Sequence, residues 1–461
     1  MPHARAGRFE HASALGHVPT VRHPMIADAL RRYHSPSDRT QDTDTIAGCV
    51  IDPASLGQQV SRPRWTMATD SSPFEHVVDP NFPSTRLMFA QMSAVLVDLE
   101  QLRSKIGRFV DPAAIRDAQH ATVMAGVLPS SNLIRTDGTP PLRAFREAVD
   151  DLLRTRRVEG RTLFDVLAEV QANRLDTDGR PRGSVPRCPT CRRAHASADD
   201  RKPMPIEFGP DGTPCPFCGE EIMFTDLLRA HETFREHGEN GEACGRVLSV
   251  AERLITLGFL DHVHARMGGV MGDVALITDG PLALFGEVAK LKTGILRRMQ
   301  VVVEELRSEG LRLPVIVGIE KSGVFVEHAR AIRPHIPPGM LMAPDADYVE
   351  RYITFRGSPH GAETYYGRHF FYRSAARRIY VITVPPLGRV DAHPHEAFDL
   401  ADYPTLASTC ALIERIGTRL YDDATIPLVL AHRFAAFPAE TAGSVLRLHV
   451  EQYLGQEPAA A

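Results

Sequence analysis

Two aspartates, Asp70 and Asp279, each end a short apolar run that contains the β-branched residues favoured in strands. The second run, VALITDG, stops at Asp279 and Gly280. Because open α/β sheets hold metals and substrates at the carboxyl ends of their strands, we expect both carboxylates at such an edge. Paired carboxylates bind hard divalent cations through oxygen, so the two acids predict a metal site. For either acid alone, an ordinary polar turn is the competing interpretation.

Four of the seven cysteines form two pairs with the spacing C-x2-C-x23-C-x2-C, namely Cys188, Cys191, Cys215 and Cys218. Each pair closes a tight turn that aims two thiolates at one point, and four thiolates complete a tetrahedral Zn²⁺ site. Since a four-cysteine site leaves no open coordination position, we predict a structural zinc ribbon. Four buried thiols without metal are the alternative, which the polar, proline-rich surroundings disfavour.

Basic residues flank the predicted ribbon, and they slightly favour contact with nucleic acid over docking of a protein: Arg187, Arg192, Arg193, Arg201 and Lys202. The chain as a whole carries a formal net charge of −4, so any contact with nucleic acid must be made by local basic patches.

Length and composition are those of a soluble globular protein, with 461 residues, 43% hydrophobic and 24% charged. This length predicts two or three structural units. No apolar stretch reaches the length of a membrane span, and the N-terminus lacks the apolar core of a signal peptide. We therefore expect a cytoplasmic protein without membrane contact.

Composition and periodicity divide the chain into four segments. Residues 1–60 are predicted as an N-terminal arm that is partly disordered, and residues 61–175 as the first part of a core. Residues 176–223 form the zinc-ribbon insertion, and 224–461 the second part of the core. Strand-like runs alternate with helical patterns and short glycine turns, which predicts an α/β or mixed α+β fold.

Six segments in a fixed order resemble the NurA nuclease family, in its bacterial form with an inserted zinc ribbon: ATDSSPFEHVV, DLLRAHETFREHGENGEACGRVLSVAERL, ITDGPLALFG, VGIEKSG, YYGRHFFYR and IPLVLAHRFA. The resemblance extends from about Trp65 to Leu454. It implies a ribonuclease-H-like mixed sheet flanked by helices, and Mn²⁺- or Mg²⁺-dependent cleavage of DNA as an exonuclease and single-strand endonuclease. It also implies a homodimer that acts with a HerA-type hexameric DNA-translocating ATPase, in DNA end processing or in defence against phage.

The same resemblance assigns catalytic metal ligands. Asp70 matches the first Asp-Gly-Ser motif, with Ser71 in place of the glycine, and Asp279 matches the second Asp-Gly motif directly. Glu252 is chosen as the intervening glutamate, with Glu242 as the alternative. His432 matches the C-terminal Ala-His motif, as a further ligand or proton carrier.

Each of these assignments has a structural alternative. Glu252 could lie on a solvated helix face, and His432 could cap the helix that follows it. The family's tyrosine, eight residues before the histidine, is replaced here by Ala424, with Tyr421 three residues earlier.

Lys321, Arg368 and Arg373 are the candidate substrate-binding residues. Arg368 and Arg373 belong to a strand-like segment in which basic and aromatic residues alternate, and such a strand can offer guanidinium groups to phosphates. The alternation equally fits a half-buried strand with Phe370 and Tyr372 in the core. Lys321 could contact a phosphate or lie in an exposed turn, and its neighbour Glu320 is kept outside the core ligand set.

Two other functions compete with a nuclease. A catalytically silent zinc-ribbon subunit, which binds DNA or docks on a ring, is supported by the departures at Ser71 and Ala424. A different enzyme on the same sheet, such as a phosphotransferase or a ribonuclease, is the third. No G-x-x-x-x-G-K-[ST] loop occurs, so ATP hydrolysis would have to come from a partner.

Overall fold

The computed structural model describes residues 17–33, 43–79, 81–105, 116–175, 180–196, 203–354, 361–417, 425–437, 446, 448–450 and 452–453. Within them, nine strands form one mixed β-sheet: β1 Val50–Ile51, β2 Trp65–Val77, β3 Arg86–Asp98, β4 Gln119–Pro129, β13 Val274–Asp279, β14 Val315–Glu320, β15 Leu341–Met342, β16 Arg368–Arg373 and β17 Ile379–Val384. Eight short strands pair outside this sheet: β5 Arg157–Val158, β6 Arg161–Thr162, β7 Gly183–Val185, β8 His195–Ala196, β9 Pro203–Met204, β10 Ile206–Phe208, β11 Thr213–Pro214 and β12 Glu221–Ile222.

The strand order in the main sheet is β1-β15-β16-β17-β14-β13-β2-β3-β4. Strands β2, β3 and β4 are antiparallel neighbours, whereas β13 and β14 run parallel to β2. The five strands β4-β3-β2-β13-β14 therefore have the order and the directions of a ribonuclease-H-like core. Strand β17 pairs antiparallel with β14 and extends the sheet towards β1. The predicted fold class, a mixed sheet flanked by helices, is confirmed.

Helices cover both faces of the sheet. The described α-helices are α1 Val18–Arg22, α2 Pro24–Leu30, α3 Thr43–Gly48, α4 Leu99–Lys105, α5 Pro141–Thr155, α6 Leu163–Leu175, α7 Gly241–Met267, α8 Lys292–Ser308, α9 Val324–Ile332, α10 Ala346–Tyr352, α11 Leu406–Ile416 and α12 Ile426–Ala435. Short 3-10 helices lie at Pro53–Leu56, Phe224–Leu228, Ala230–Glu232, Gly268–Asp273, Gly286–Leu291, Arg333–His335 and Leu400–Asp402.

The two faces have separate hydrophobic cores. Helices α5 to α8 bury their apolar side chains against one face, where Met67 of β2 and Leu276 of β13 point, and α9 covers the same face near β16 and β17. Helices α11 and α12 pack on the opposite face, against Ala68 and Ile277. The central strands β13 and β14 are buried on both sides, which explains why their sequences are nearly continuous apolar runs.

The sheet has a step beside β13. Asp70 is the sixth residue of β2, which continues to Val77. Strand β13 stops at Asp279, so beyond Asp70 the strand β2 pairs with β3 alone among the described strands. The prediction that Asp70 ends its strand is therefore wrong. The polar run after Asp70 stays extended because every residue up to Val77 has a partner in β3.

Two local sequence patterns agree with the structure. Residues 141–173 alternate acids, bases and leucines at helical spacing, which predicts two helices joined near Glu159 and Gly160. Helices α5 and α6 are indeed separated by the β5–β6 hairpin, which turns at these two residues. Residues 368–384 read as a strand pair joined near residues 374–376, which is confirmed as β16 and β17.

The segment from Ala424 to His432 reads as a loop into a His-Arg turn before a last helix, and this interpretation is wrong, because His432 lies inside α12. The interpretation of His432 as a cap of a following helix is wrong for the same reason. Pro427 occupies the first turn of α12, where a proline is tolerated. The N-terminal arm contributes β1, which pairs with β15; its residues 1–16 and 34–42 lie outside the described residues.

The cysteine-bearing insertion packs against the main core. Its residues Val185, Ile206, Phe208 and Ile222 belong to the same hydrophobic cluster as Met88 of β3. The predicted segment boundaries at 60, 175 and 223 stay a prediction. No helix within the described residues is long and apolar enough to cross a membrane.

A buried ion pair attaches α5 to the 3-10 helix that directly follows this insertion. The Arg146 guanidinium donates to both carboxylate oxygens of Asp226, at 2.8 and 2.6 Å, and to the Glu221 carbonyl oxygen at 2.7 Å. Both side chains are almost fully buried. Loss of one partner would leave the other charge buried and unpaired, which is costly.

We therefore expect Arg146→Met to lower the free energy of unfolding by about 3–5 kcal/mol, measured by urea denaturation. Arg143→Met is the matched control on the same helix, because Arg143 pairs with Glu147 and Glu220 at the surface. This control should cost about 1 kcal/mol or less. Equal effects of the two substitutions would contradict the structural role given to Arg146.

Candidate active site

Asp70 and Asp279 lie side by side on neighbouring parallel strands. Thr69 of β2 is in register with Thr278 of β13, so each aspartate is the next residue on its strand. Both side chains point to the sheet face that α11 and α12 cover, because they alternate with the residues of the opposite core. The predicted meeting of the two carboxylates at one edge is thus observed.

Helix α12 places His432 beside Asp70. The Nδ1 atom of His432 lies 2.8 Å from Oδ2 of Asp70. Strand β3 fixes the helix through two hydrogen bonds to its backbone, from Ser93 Oγ to the Ala431 carbonyl oxygen at 2.8 Å and from Gln91 Nε2 to the Phe434 carbonyl oxygen at 2.6 Å. The imidazole remains 67% exposed, so solvent reaches the ring.

Glu252 reaches the same edge from α7, which covers the other face of the sheet. The residue is 8% exposed, so the interpretation as a solvated helix face is wrong. The Ser71 hydroxyl donates to Oε1 of Glu252, and the Arg253 guanidinium donates to Oε2. Both carboxylate oxygens are therefore held by named partners.

The alternative glutamate, Glu242, lies in the first turn of α7 and is exposed. It is ten residues before Glu252, about 15 Å along the helix axis. Its nearest cation is Arg246, at 3.9 Å. The structure therefore favours Glu252 as the acid at this edge.

Arg253 is as buried as Glu252 and connects three parts of the site. Besides Glu252, its guanidinium donates to the Pro281 carbonyl oxygen at 3.4 Å and interacts with the hydroxyl of buried Tyr366. Pro281 belongs to the turn that follows Asp279. Arg253 therefore ties the glutamate of α7 to the loop at the end of β13.

Asp279 pairs with Lys321, the residue directly after β14. Lys321 Nζ lies 2.6 Å from Oδ2 of Asp279, and both side chains are partly exposed. Lys321 therefore lies in a turn, as one interpretation predicted, and this turn is part of the candidate site. The adjacent Glu320 points to the other face of the sheet, where its Oε1 lies 2.7 Å from Nε2 of His369.

The acids influence one another. Burial is the main cause that raises the pKa of Asp70; the hydrogen bond with His432 opposes this shift, and the negative charge of Asp279 adds to it. Burial also raises the pKa of Glu252 to about 7, although Arg253 and Ser71 act in the opposite direction. Both Asp70 and Asp279 contribute to the shift at Glu252, which places the three carboxylates in one electrostatic group.

The donor set fits a hard divalent cation such as Mn²⁺ or Mg²⁺, because it offers three carboxylates and one imidazole at a partly buried edge. Within the described part of the chain, no three of these residues have all their ligand atoms within 4.8 Å of one another.

The other two candidate substrate-binding residues hold backbone instead of facing the acids. Arg368 is 8% exposed and donates to the carbonyl oxygens of Pro344 at 3.0 Å and Glu396 at 3.1 Å. Arg373 donates to the carbonyl oxygens of Arg333 and Ile336 at the end of a 3-10 helix. Their contact with DNA stays a prediction that this geometry does not support.

The predicted core positions of Phe370 and Tyr372, also on β16, are confirmed, because both residues are buried. Ala424 and Tyr421 lie outside the described residues.

The four predicted zinc ligands form a compact cluster. Cys188 Sγ lies 3.8 Å from Cys218 Sγ, and Cys191 Sγ lies 3.8 Å from Cys215 Sγ. All four sulfur atoms lie within 4.8 Å of one another. Tetrahedral zinc with Zn–S bonds of 2.3 Å requires sulfur atoms about 3.8 Å apart, so the cluster fits Zn²⁺.

Two similar turns build this cluster. The backbone N–H of Thr190 points to Cys188 Sγ and that of Phe217 to Cys215 Sγ, both at 3.4 Å. Gly219 has a positive φ of 76°, which lets its turn close at no steric cost. Arg192 takes the corresponding position in the first turn with a φ of 58°.

Three of the basic residues that flank the cluster, Arg187, Arg192 and Arg193, are exposed, whereas Arg201 and Lys202 lie outside the described residues. The Arg193 guanidinium lies 5.9 Å from the centre of the Phe217 ring. The exposed arginines are therefore placed where a phosphate backbone could reach them, and their contact with DNA stays a prediction.

Sequence reasoning missed Arg253, Ser93 and Gln91. Arg253 had a usable signal, because Glu252 and Arg253 are the only charged residues between Val247 and Leu260 in an otherwise apolar helix. Adjacent charges in such a run indicate a buried ion pair. Ser93 and Gln91 gave no signal, since their role depends on the packing of α12 over β3.

We expect the purified chain to hold one zinc ion, measured by atomic absorption. Cys215→Ser should lose this zinc and lower the melting temperature, because three thiolates no longer close the tetrahedral site. Cys49→Ser is the control, since Cys49 lies apart from the cluster. Wild-type protein without zinc, or Cys215→Ser with full zinc content, would contradict this assignment.

Comparisons with known proteins give weak similarity to solved structures and nothing more. No protein-family model matches the chain, and no curated protein matches it. Among solved structures, the crystal structure of the NurA nuclease from Sulfolobus solfataricus matches over 97% of both chains, with 8% sequence identity and a TM-score of 0.34. A similarity at this level carries no conclusion about family or activity.

Proposed function

We propose that the chain is a divalent-metal-dependent deoxyribonuclease of the NurA type. The observation that carries this proposal is the common location of three carboxylates. Asp70 and Asp279 lie on neighbouring parallel strands and point to one face of the sheet, and Glu252 reaches them from α7 on the other face. Carboxylates gathered at one edge hold the hard cations that phosphodiester hydrolysis uses. The segments that resemble the NurA family carry each of these acids.

Phosphodiester hydrolysis requires an activated water, a stabilised phosphate and a neutralised leaving oxygen, and bound divalent ions would supply the positive charge for all three. The three carboxylates would hold those ions. His432 is close to Asp70 and exposed, so its imidazole can exchange a proton with a water at this edge. Lys321 is the cation nearest to Asp279 and would meet a phosphate oxygen as a point charge.

The finer proposals follow from the sequence resemblance. They are exonuclease and single-strand endonuclease activity on DNA, a homodimer, and a HerA-type hexameric ATPase as the partner. DNA end processing and defence against phage are both consistent with such a complex, and a cytoplasmic location would suit either task.

A catalytically silent subunit that binds DNA or docks on such a ring is the alternative. Ser71 had supported this alternative, because it replaces the glycine of the first motif. In the structure, Ser71 donates a hydrogen bond to Glu252, so the replacement keeps the acids together. This contact favours an active site over a silent one.

Cleavage of labelled single- and double-stranded DNA with Mn²⁺ tests the nuclease. Asp70→Asn and Asp279→Asn should each lower the rate by about 100-fold or more, because each removes a charge that stabilises the reacting phosphate. Asp151→Asn is the control, since Asp151 is an exposed acid on α5. Every variant is assayed alone and with the candidate HerA-type ATPase, and melting temperature and zinc content are measured in parallel.

If the wild type cleaves nothing under any of these conditions but still binds DNA or the ring, the silent subunit is the better description. If cleavage survives both substitutions, the catalytic metals lie elsewhere.

Lys321→Met tests the predicted phosphate contact. In Ca²⁺, which we use to support binding without cleavage, this variant should bind single-stranded DNA more weakly. The slope of log K against log salt should fall by about 0.7, the value for one phosphate contact. Lys290→Met removes the same charge from an exposed position and should leave the slope unchanged. An unchanged slope in Lys321→Met would show that Lys321 serves only as the partner of Asp279.

A further inference from the structure

Glu252 is held through both carboxylate oxygens, and the two partners differ in charge. Oε1 accepts a hydrogen bond from the neutral Ser71 hydroxyl, whereas Oε2 accepts one from the Arg253 guanidinium. A cation bound to Oε2 would sit against the positive charge of Arg253. Each carboxylate oxygen has two lone pairs, so Oε1 can accept from Ser71 and still bind an ion.

Ser71 touches two of the three acids. Its hydroxyl donates to Glu252, and its backbone N–H donates to Oδ1 of Asp70 at 2.8 Å. The residue therefore joins β2 to α7 at the point where the sheet steps. Since Asp70 and Ser71 are consecutive in a strand, their side chains leave on opposite faces, and the Ser71 hydroxyl can reach the helix that Asp70 does not face.

We propose that Ser71 is a positioning residue that presents Oε1 of Glu252 to a divalent cation bound by Asp70 and Asp279. Glu252 would then face the ion with Oε1, because the positive charge of Arg253 lies against Oε2. The proposal rests on the proposed function and deepens it. It also gives a role to the residue by which this chain departs from the Asp-Gly-Ser motif, because a glycine has no hydroxyl to offer to the glutamate.

The test measures Mn²⁺ binding directly, by the electron paramagnetic resonance signal of free Mn²⁺, in protein that carries its zinc. Groups that orient a metal ligand typically contribute about 10- to 100-fold to metal affinity. We expect Ser71→Ala and Ser71→Gly to weaken Mn²⁺ binding by about this factor, and Ser71→Thr, which keeps a hydroxyl, to bind nearly as the wild type does.

Ser72→Ala is the matched control. Ser72 is the next residue on the same strand and equally half-buried, and its side chain leaves on the other face. This variant should bind Mn²⁺ as the wild type does. DNA cleavage across a Mn²⁺ titration adds a second measurement, in which Ser71→Ala should need more Mn²⁺ for half-maximal rate but approach the wild-type rate at saturation.

Several outcomes would overturn the proposal. Equal Mn²⁺ affinity in Ser71→Ala and Ser72→Ala would show that the hydroxyl does not position the ligand. Weak binding in Ser71→Thr as well would assign the effect to packing at this position instead. Asp279→Asn separates failure of the Ser71 proposal from failure of the proposed function. Unchanged Mn²⁺ binding and cleavage in Asp279→Asn would show that these acids do not form the metal site.

Discussion

The parallel register between β2 and β13 brings two negative charges together, and the rest of the site is organised around this repulsion. With Thr69 opposite Thr278, Asp70 and Asp279 must be neighbours, and α7 adds Glu252 to them. Each acid has its own positively charged or basic partner, which is His432, Lys321 or Arg253. These partners come from three different elements, so the charge balance of the edge depends on the complete fold.

Helix α7 connects the charges of the site to the interior of the protein. It carries Glu252 and Arg253 in the middle of a 27-residue helix whose other inward residues are almost all apolar. Asn240, the residue directly before this helix, is fully buried and bonds to Glu75 near the end of β2 and to Ser130 just after β4. The ion pair is thereby held on a helix whose N-terminal end is fixed beyond the site. A small shift of this helix would change the separation of the acids.

The sequence was informative where local pattern and chemistry coincide. The run before Asp279, the two cysteine pairs and the hairpin at Glu159 and Gly160 could all be interpreted from neighbouring residues alone. It was less informative where partners are distant. That Asp70 lies within a strand depends on its pairing with β3, and the burial of Arg368 depends on loops far away in sequence. The assignment of Arg368 to DNA came from composition, which does not tell an exposed guanidinium from one that holds carbonyl oxygens.

The step in the sheet also determines how the acids can be approached. Beyond Asp70, the strand β2 runs on for seven residues, about 23 Å, beside β3. This two-stranded extension lies beside the carboxylates, and α7 covers the face of the sheet from which Glu252 reaches them. On the side where β13 has ended, no described strand pairs with this part of β2, so its edge adjoins the acids. An extended polymer can lie along such a strand edge and still reach the carboxylates.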